Sequence, residues 1–314
     1  MKKFLCLLLF LVTLVPLSAQ EFDKVAVVNK LADLMNRNYV FPGKGDQMHD
    51  LIKDKLESGE YASFDSEHAF ATQLELDLRS VINDKHIRVS YDPERAQAIL
   101  NRDFGEERAG QNNFGFEEVT ILEGNIGYLD LRGFADIRYA EEVAKAAMDK
   151  LIKSDAIIFD LRRNGGGSPS MIRFISSYLF GSEPVHLNTF YWRPSNSFSE
   201  TWTNPEFASV TKPDIPIYVL TSDYTFSAAE EFTYNLKNME RATIIGEVTG
   251  GGAHPGGPMV ITDGFLVNVP QGRAINPITN TNWEGVGISP HIAVPKEDAL
   301  ETALELAKQA LIQN

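Results

Sequence analysis

The chain has a single cysteine, Cys6, and it lies inside the first apolar run. With no second thiol there is no intramolecular disulfide and no cysteine-built metal site, and once that run is removed no thiolate nucleophile remains. Long apolar runs are equally scarce. After Pro16 nothing approaches the roughly 20 apolar residues that a membrane-spanning helix needs. Positive charge is in short supply, with Lys+Arg 29 against Asp+Glu 43 and a formal net charge of -14. That balance argues against nucleic acid and anionic membrane surfaces as partners. Histidines number six, and none is paired at a metal-ligand spacing, so neither zinc nor a nucleotide cofactor is expected. There is no fixed-period repeat and no low-complexity tract.

What is present begins with a leader. Lys2 and Lys3 precede an apolar run from Phe4 to Pro16 that is too short to span a bilayer, and Leu17-Ser18-Ala19-Gln20 supplies a small-residue exit. This reads as a secretory signal peptide over residues 1–20, so the mature protein is expected to be exported, to the periplasm or beyond the cell. The roughly 294 residues that follow suffice for two modest domains.

Apolar spacing predicts helices over 23–38, 47–56 and 66–82, the last opened by Asp65 or Ser66. Together with the alternating segment Asp84–Tyr91 they make a small helical N-terminal domain, residues 21–91. Residues 92–116, charged and glycine-bearing, read as a linker. From 117 to 314 the pattern turns to α/β, with strands at 117–121, 126–131, 156–161, 217–220 and 242–245 and helices near 140–153, 170–179 and 227–237. Such alternation predicts a sheet with helical crossovers, and ligands gather at the carboxyl ends of its strands.

Two such ends carry chemistry. The strand Ile217–Leu220 runs into Thr221-Ser222-Asp223-Tyr224-Thr225-Phe226-Ser227, and the strand Ile157–Leu161 runs into Arg162-Arg163-Asn164-Gly165-Gly166-Gly167. A serine at a strand-to-helix turn exposes its hydroxyl beside helix-end N–H groups, the arrangement that acyl transfer requires. Ser227 is therefore the candidate nucleophile, although Ser-x-x-Glu with Glu230 is also a capping box. Its base must be a histidine or lysine. His86, after a helix end, and His254, in the loop Thr249–Gly257, are the two histidines in suitable places, whereas His49, His68 and His186 read as surface residues.

The order of Tyr39-Val40-Phe41-Pro42, Asp84-Lys85-His86, Asn125–Leu129, Asp160–Gly167, Ser227-Ala228-Ala229-Glu230 and Asn282–Pro290 resembles the tail-specific, or C-terminal-processing, serine peptidase family. The likeness is greatest to its branches containing the interphotoreceptor retinoid-binding protein and the tricorn-type core peptidases. It covers nearly the whole mature chain and implies a crotonase-like ββα-spiral catalytic core. By position it implies Ser227 as nucleophile and backbone donors at Gly166 or Gly167 and at Ala228 for the oxyanion. Where the best-known branch carries a lysine base this chain has Gly252, and no lysine occurs between Lys237 and Lys296. The tricorn-like pattern instead implies His86 as base and Glu284 as the carboxylate that orients it. The connection at 92–116 leaves no room for a PDZ module. Peptide or protein is the implied substrate, while the retinoid-binding branch keeps open a non-catalytic binder of an apolar ligand. Asp160 and Arg162 read as a structural ion pair, and Trp283 as a packed wall.

Overall fold

The structure, a computed structural model, describes residues 22–101, 112–262 and 264–313. The leader read over 1–20, with Cys6, lies outside these residues, and among them no helix is long and apolar enough to cross a membrane.

Three helices open the chain. Helix α1 (Lys24–Asn38) is capped by the Asp23 carboxylate, which accepts from Ala26 N–H, and α3 (Glu67–Val81) is capped by Ser66. Between them, α2 (Pro42–Glu57) begins five residues before the apolar periodicity indicates. Pro42 is the reason: its fixed φ suits a first helical turn, where its missing N–H costs nothing. Strand β1 (Arg88–Tyr91) follows. The segment read as a linker contains a further helix, α4 (Pro93–Leu100), opened by the same chemistry of an Asp92 cap and a leading proline. Residues 102–111 of that segment lie outside those described.

The C-terminal part is built on a six-stranded sheet. In chain order its strands are β2 (Phe116–Leu122), β3 (Ile126–Leu131), β4 (Ala156–Asp160), β7 (Ile217–Thr221), β8 (Thr243–Gly246) and β12 (Ile292–Ala293). They are arranged β12-β8-β7-β4-β3-β2, parallel throughout except for the antiparallel β2–β3 pair. Because side chains alternate between faces, the uniformly apolar strand β4 feeds two cores. Ile157 and Phe159 pack with α5 (Ile137–Leu151), α6 (Pro169–Leu179) and α7 (Ala228–Asn238), while Ala156 and Ile158 pack with Ala299, Ala303 and Ala307 of α8 (Ala299–Gln313).

Two small antiparallel sheets complete the molecule. One is β11-β5-β6, in which β5 (His186–Trp192) and β6 (Ser197–Trp202) form a hairpin and β11 (Gly272–Ile275) pairs with β5. The other is β1-β10-β9, with β9 at Gly256–Thr262 and β10 at Phe265–Pro270. This second sheet joins the N-terminal helices to the C-terminal part. Arg88 pairs with Asn268 and Tyr91 with Phe265, and the helices share one core with Val267 and Val269. Arg193 adds a clamp, its guanidinium donating to the carbonyls of Tyr39 (2.5 Å) and Asn36 (2.7 Å). The N-terminal helices are thus fixed beside the carboxyl ends of β4 and β7.

Candidate active site

Strands β4 and β7 are direct neighbours, Asp160 facing Leu220, so the turns that leave them meet. Asn164, fully buried, ties them: its side-chain amide donates to Leu131 O (2.8 Å), and its carbonyl accepts from Phe226 N–H (3.1 Å). Gly166 then lies so near Ser227 that a Cβ there would stand 2.8 Å from Ser227 Cβ. Only glycine fits. At Gly167, φ +140° and a would-be Cβ 2.1 Å from Phe134 O impose the same restriction.

Ser227 is held at φ 56° and ψ -119°, a conformation that a non-glycine residue keeps only when its surroundings enforce it. Glu230 supplies much of that enforcement. Its fully buried carboxylate accepts from Ser227 N–H (2.9 Å) and Gly252 N–H (2.8 Å) on one oxygen, and from Gly251 N–H (2.7 Å) and the Thr249 hydroxyl on the other. The return arm of the capping box is therefore present, and it also fastens the glycine loop of residues 249–257. Burial pushes the Glu230 carboxyl upward, and these four donors oppose the shift.

The Ser227 hydroxyl points at His86, with Oγ 3.0 Å from Nε2. His86 comes from the N-terminal part and is locked there. Its N–H donates to Asp84 Oδ1 (2.9 Å), its carbonyl accepts from Asn268 Nδ2 (2.7 Å), and its ring lies on Phe226 at 4.6 Å between centroids. Lys85 adds a bond from Nζ to Gly250 O (2.7 Å). Burial holds the His86 imidazole down to about 4, against the opposing charge of Asp84. It is thus neutral at neutral pH, as a base must be.

The glycine at 252 has a steric cause. A Cβ there would stand 2.2 Å from Phe226 Cζ and 2.8 Å from His86 Cε1, so the imidazole and its supporting ring fill the space that a side chain would need. His254 lies elsewhere, its Nδ1 2.8 Å from Asp84 Oδ2 and its ring edge-on to Phe41. The serine is paired with His86 and not with His254.

Two sequence-derived assignments need correction. Gly166 N–H donates to Asn164 Oδ1 (2.9 Å) and is not free for an oxyanion. The Phe134–Gly167 bridge uses Gly166 O and Ser168 N–H, which leaves Gly167 N–H outside it, on the cleft that Ala228 and Ser227 also line. Glu284, expected against the far nitrogen of His86, makes no hydrogen bond to it. Its Oε2 accepts from Ala253 N–H (2.6 Å) and sits 3.5 Å from His254 Nδ1. His86 Nδ1 has no hydrogen-bond partner, and Asp84 Oδ1 stands 3.9 Å from it. Asp84 is fully buried, and burial raises its carboxyl, but the hydrogen bond and charge of His254 with the proximity of His86 bring it net below the usual value. Burial and the charge of Asp84 push Glu284 up to about 7. Asp84, His86 and Glu284 bring one ligand atom each within 4.8 Å of one another, a spacing a cation could use, although both Asp84 oxygens and Glu284 Oε2 are already engaged.

The site opens into a cleft of ≈ 440 Å³ bounded by Ser227, Ala228, Phe190, Trp192, Pro255 and Trp283. Trp283 is buried and donates to Gly252 O (2.7 Å), so it is a wall, as read from the sequence. Asp160 and Arg162 form the expected ion pair, to which Tyr128 adds a hydroxyl donor (2.8 Å). His186 is not a free surface residue: it stacks on Trp202 at 4.5 Å.

A serine on a strained strand-to-helix turn, a buried neutral histidine against its hydroxyl, and a glycine turn beside it, on a crotonase-like core, define a serine hydrolase. Residues 125–294 match peptidase family S41, and residues 22–112 match the N-terminal domain of peptidase S41 in eukaryotic IRBP. The chain belongs to peptidase family S41, and it is a serine peptidase. Among solved structures, a putative peptidase from Parabacteroides merdae is similar with TM-score 0.59 at 20% identity, over 90% of this chain and 96% of that one. The photosystem II D1 C-terminal processing protease is similar with TM-score 0.57 at 15% identity, over 91% and 98%. A putative S41 protease from Bacteroides fragilis is similar with TM-score 0.55 at 21% identity, over 62% of this chain and 58% of that one, so this chain spans less than two thirds of that protein's length.

Proposed function

We propose that the protein is an exported serine peptidase that cleaves peptide bonds through an acyl-enzyme on Ser227, with His86 as general base. The observation that carries this reading is the 3.0 Å approach of Ser227 Oγ to His86 Nε2. His86 Nε2 takes the hydroxyl proton as Oγ attacks the scissile carbonyl, and the negative oxygen is received by Gly167 N–H and Ala228 N–H. His86 then gives that proton to the leaving amine. Water, deprotonated by the same nitrogen, attacks the ester carbonyl, releasing the acid and returning the proton to Ser227. The imidazolium formed in each half is stabilised by Asp84, whose carboxylate lies 3.9 Å from Nδ1. Asp84 thus takes the part that the family resemblance gave to Glu284.

The test is labelling with a fluorophosphonate. Wild-type protein should be modified at Ser227, and Ser227→Ala should not. A protein that only binds an apolar ligand would leave the probe unreacted. Export is supported by the basic start and apolar run of residues 2–16, and mass spectrometry of the N-terminus recovered from cells tests it: an intact Met1 would refute cleavage.

A further inference from the structure

One buried carboxyl in the cleft has no part in the chemistry above. Glu231 stands one turn into α7, its N–H bonded to Ser227 O (2.9 Å), and its side chain lines the same cleft as the nucleophile. It is 3% exposed, and its Oε1 has no hydrogen-bond partner. Opposite it is the β5–β6 hairpin. Residues 188, 190 and 192 of β5 share a face; Phe190 and Trp192 line the cleft, and Asn188 is buried behind them with its Nδ2 also unpartnered. Burial drives the Glu231 carboxyl up to about 8, which holds it protonated at neutral pH; the Asn188 amide is the one neighbour that acts on it as a donor, but its Nδ2 makes no hydrogen bond of normal geometry.

A carboxyl kept only for packing would have its oxygens satisfied, because an unmet buried acceptor costs roughly 1–3 kcal/mol. Here the unmet oxygen belongs to a residue on the cleft wall, four positions from the nucleophile. Among the described residues that line the cleft there is no lysine or arginine to neutralise it. Phe190, Trp192 and Trp283 give the cleft flat apolar faces, beside the hydroxyl-bearing Ser199 and Thr201 of β6. Such a site fits a side chain with an aliphatic stem and a cationic head, the stem lying on the rings and the head reaching the carboxyl. An aliphatic or an acidic side chain would give the carboxyl no cation to pair with.

We propose that Glu231 is the specificity-determining residue of the primary substrate pocket, selecting peptides with lysine or arginine on the acyl side of the scissile bond. The acyl-side placement rests on the peptidase reading; the preference for a cationic side chain does not. The experiment therefore measures binding first. Full-length Ser227→Ala protein is titrated with fluorescent peptides that are identical except for a final Lys, Leu or Glu. The Lys peptide should bind at least about tenfold more tightly than the Leu peptide, as a charge-assisted hydrogen bond requires, and Glu should bind weakest. Adding Glu231→Gln should bring the Lys-to-Leu ratio close to one, with thermal melting used to verify its fold. Equal or tighter binding of Leu overturns the proposal, as does a ratio that a folded Glu231→Gln protein preserves; if that variant does not fold, the ratio measured with Glu231 intact decides. In wild-type protein the same order should appear in kcat/KM for matched internal cleavage sites. A preference in binding without fluorophosphonate labelling or turnover would sink the peptidase reading and leave the pocket assignment standing, whereas cleavage after Leu in preference to Lys would do the reverse.

Discussion

Replacing Glu230 with glutamine tests whether the nucleophile turn is held by one buried carboxylate. Each oxygen of that carboxylate accepts two donors, Ser227 N–H and Gly252 N–H on one, Gly251 N–H and the Thr249 hydroxyl on the other. Glutamine keeps one oxygen and puts an NH2 group where the second was. With the NH2 group on the side of Ser227 and Gly252, two N–H groups lose their acceptor and face another donor; turned the other way, Gly251 N–H does so while the Thr249 hydroxyl can rotate to accept, in a site with no solvent contact. At roughly 1–3 kcal/mol for each unmet buried group, and one or two such groups, Glu230→Gln should cost about 1–6 kcal/mol. At roughly 2–4 °C per kcal/mol in domains of about this size, the melting midpoint should fall by about 2–24 °C. Ser227 should also relax from its strained backbone conformation, moving Oγ away from His86 Nε2, so kcat/KM should fall further than stability alone accounts for. Differential scanning calorimetry and peptide hydrolysis, both measured well below the variant's midpoint, separate the two effects. Glu230→Gln with unchanged melting and unchanged kcat/KM would refute the assignment.

Ser227→Ala should abolish hydrolysis with the fold retained, since the hydroxyl removed is bonded to His86; a purified variant with wild-type rate would discard the nucleophile. His86→Ala should lower kcat/KM by about 10²–10⁴, and His254→Ala by much less; comparable losses in both would mean that the base is wrongly assigned. Because burial holds His86 down to about 4, the acid limb of kcat/KM should fall near pH 4, well below the ordinary histidine value of 6.5, and a limb at 6.5 would contradict the buried site. The same shift costs stability: the unfolded chain binds the proton first, so stability contributed by neutral His86 falls as pH drops from 6.5 towards 4. Glu284 acts with opposite sign. Raised to about 7 from 4.5, it holds its proton in the folded state, and its contribution is lost as pH rises through 7. Glu284→Gln should therefore steepen the loss of stability on acidification between pH 7 and 4, measured by urea denaturation; an unchanged slope would show that Glu284 does not hold a proton.

The parts of the fold that were legible in the sequence are those with strong periodicity. The run Ile126–Leu131 and the strand beginning at Ala156 are buried on both faces and read as largely apolar segments, each broken only by an aspartate near its end, and α1 and α3 announce themselves by spacing and caps. The β5–β6 hairpin did not, because β6 is exposed along most of its length and carries no alternation. Helix α8 carries a helical apolar spacing at Ala299, Leu300, Ala303, Leu304, Ala307 and Leu311, so nothing physical hides it from a reading of the sequence. At the site, Ser227, His86 and the glycine turn could be named from type and order. The capping bond of Glu230 to Ser227 was legible too, but not its bonds to Thr249, Gly251 and Gly252, nor the roles of Asp84, Asn268 and Glu231, because these depend on partners distant in the chain or on the lack of any. For Asp84 a local signal existed in its position two residues before His86. The departure at Glu284 arises because Ala253 N–H engages the oxygen that was expected to reach the imidazole.

The tight fit around Gly252 bears on how such an enzyme can change over generations. Position 252 and the imidazole of His86 compete for one volume, with Phe226 as the third occupant. No single substitution can therefore trade a base carried by the N-terminal helices for one carried by the glycine loop. A side chain arriving at 252 would displace the working histidine before it could itself serve, and losing His86 first would leave the serine without a base. The two solutions are separated by a valley of inactive sequences. A lineage on the histidine side is committed to keeping its N-terminal helices, since they deliver a reacting group and not merely a cover.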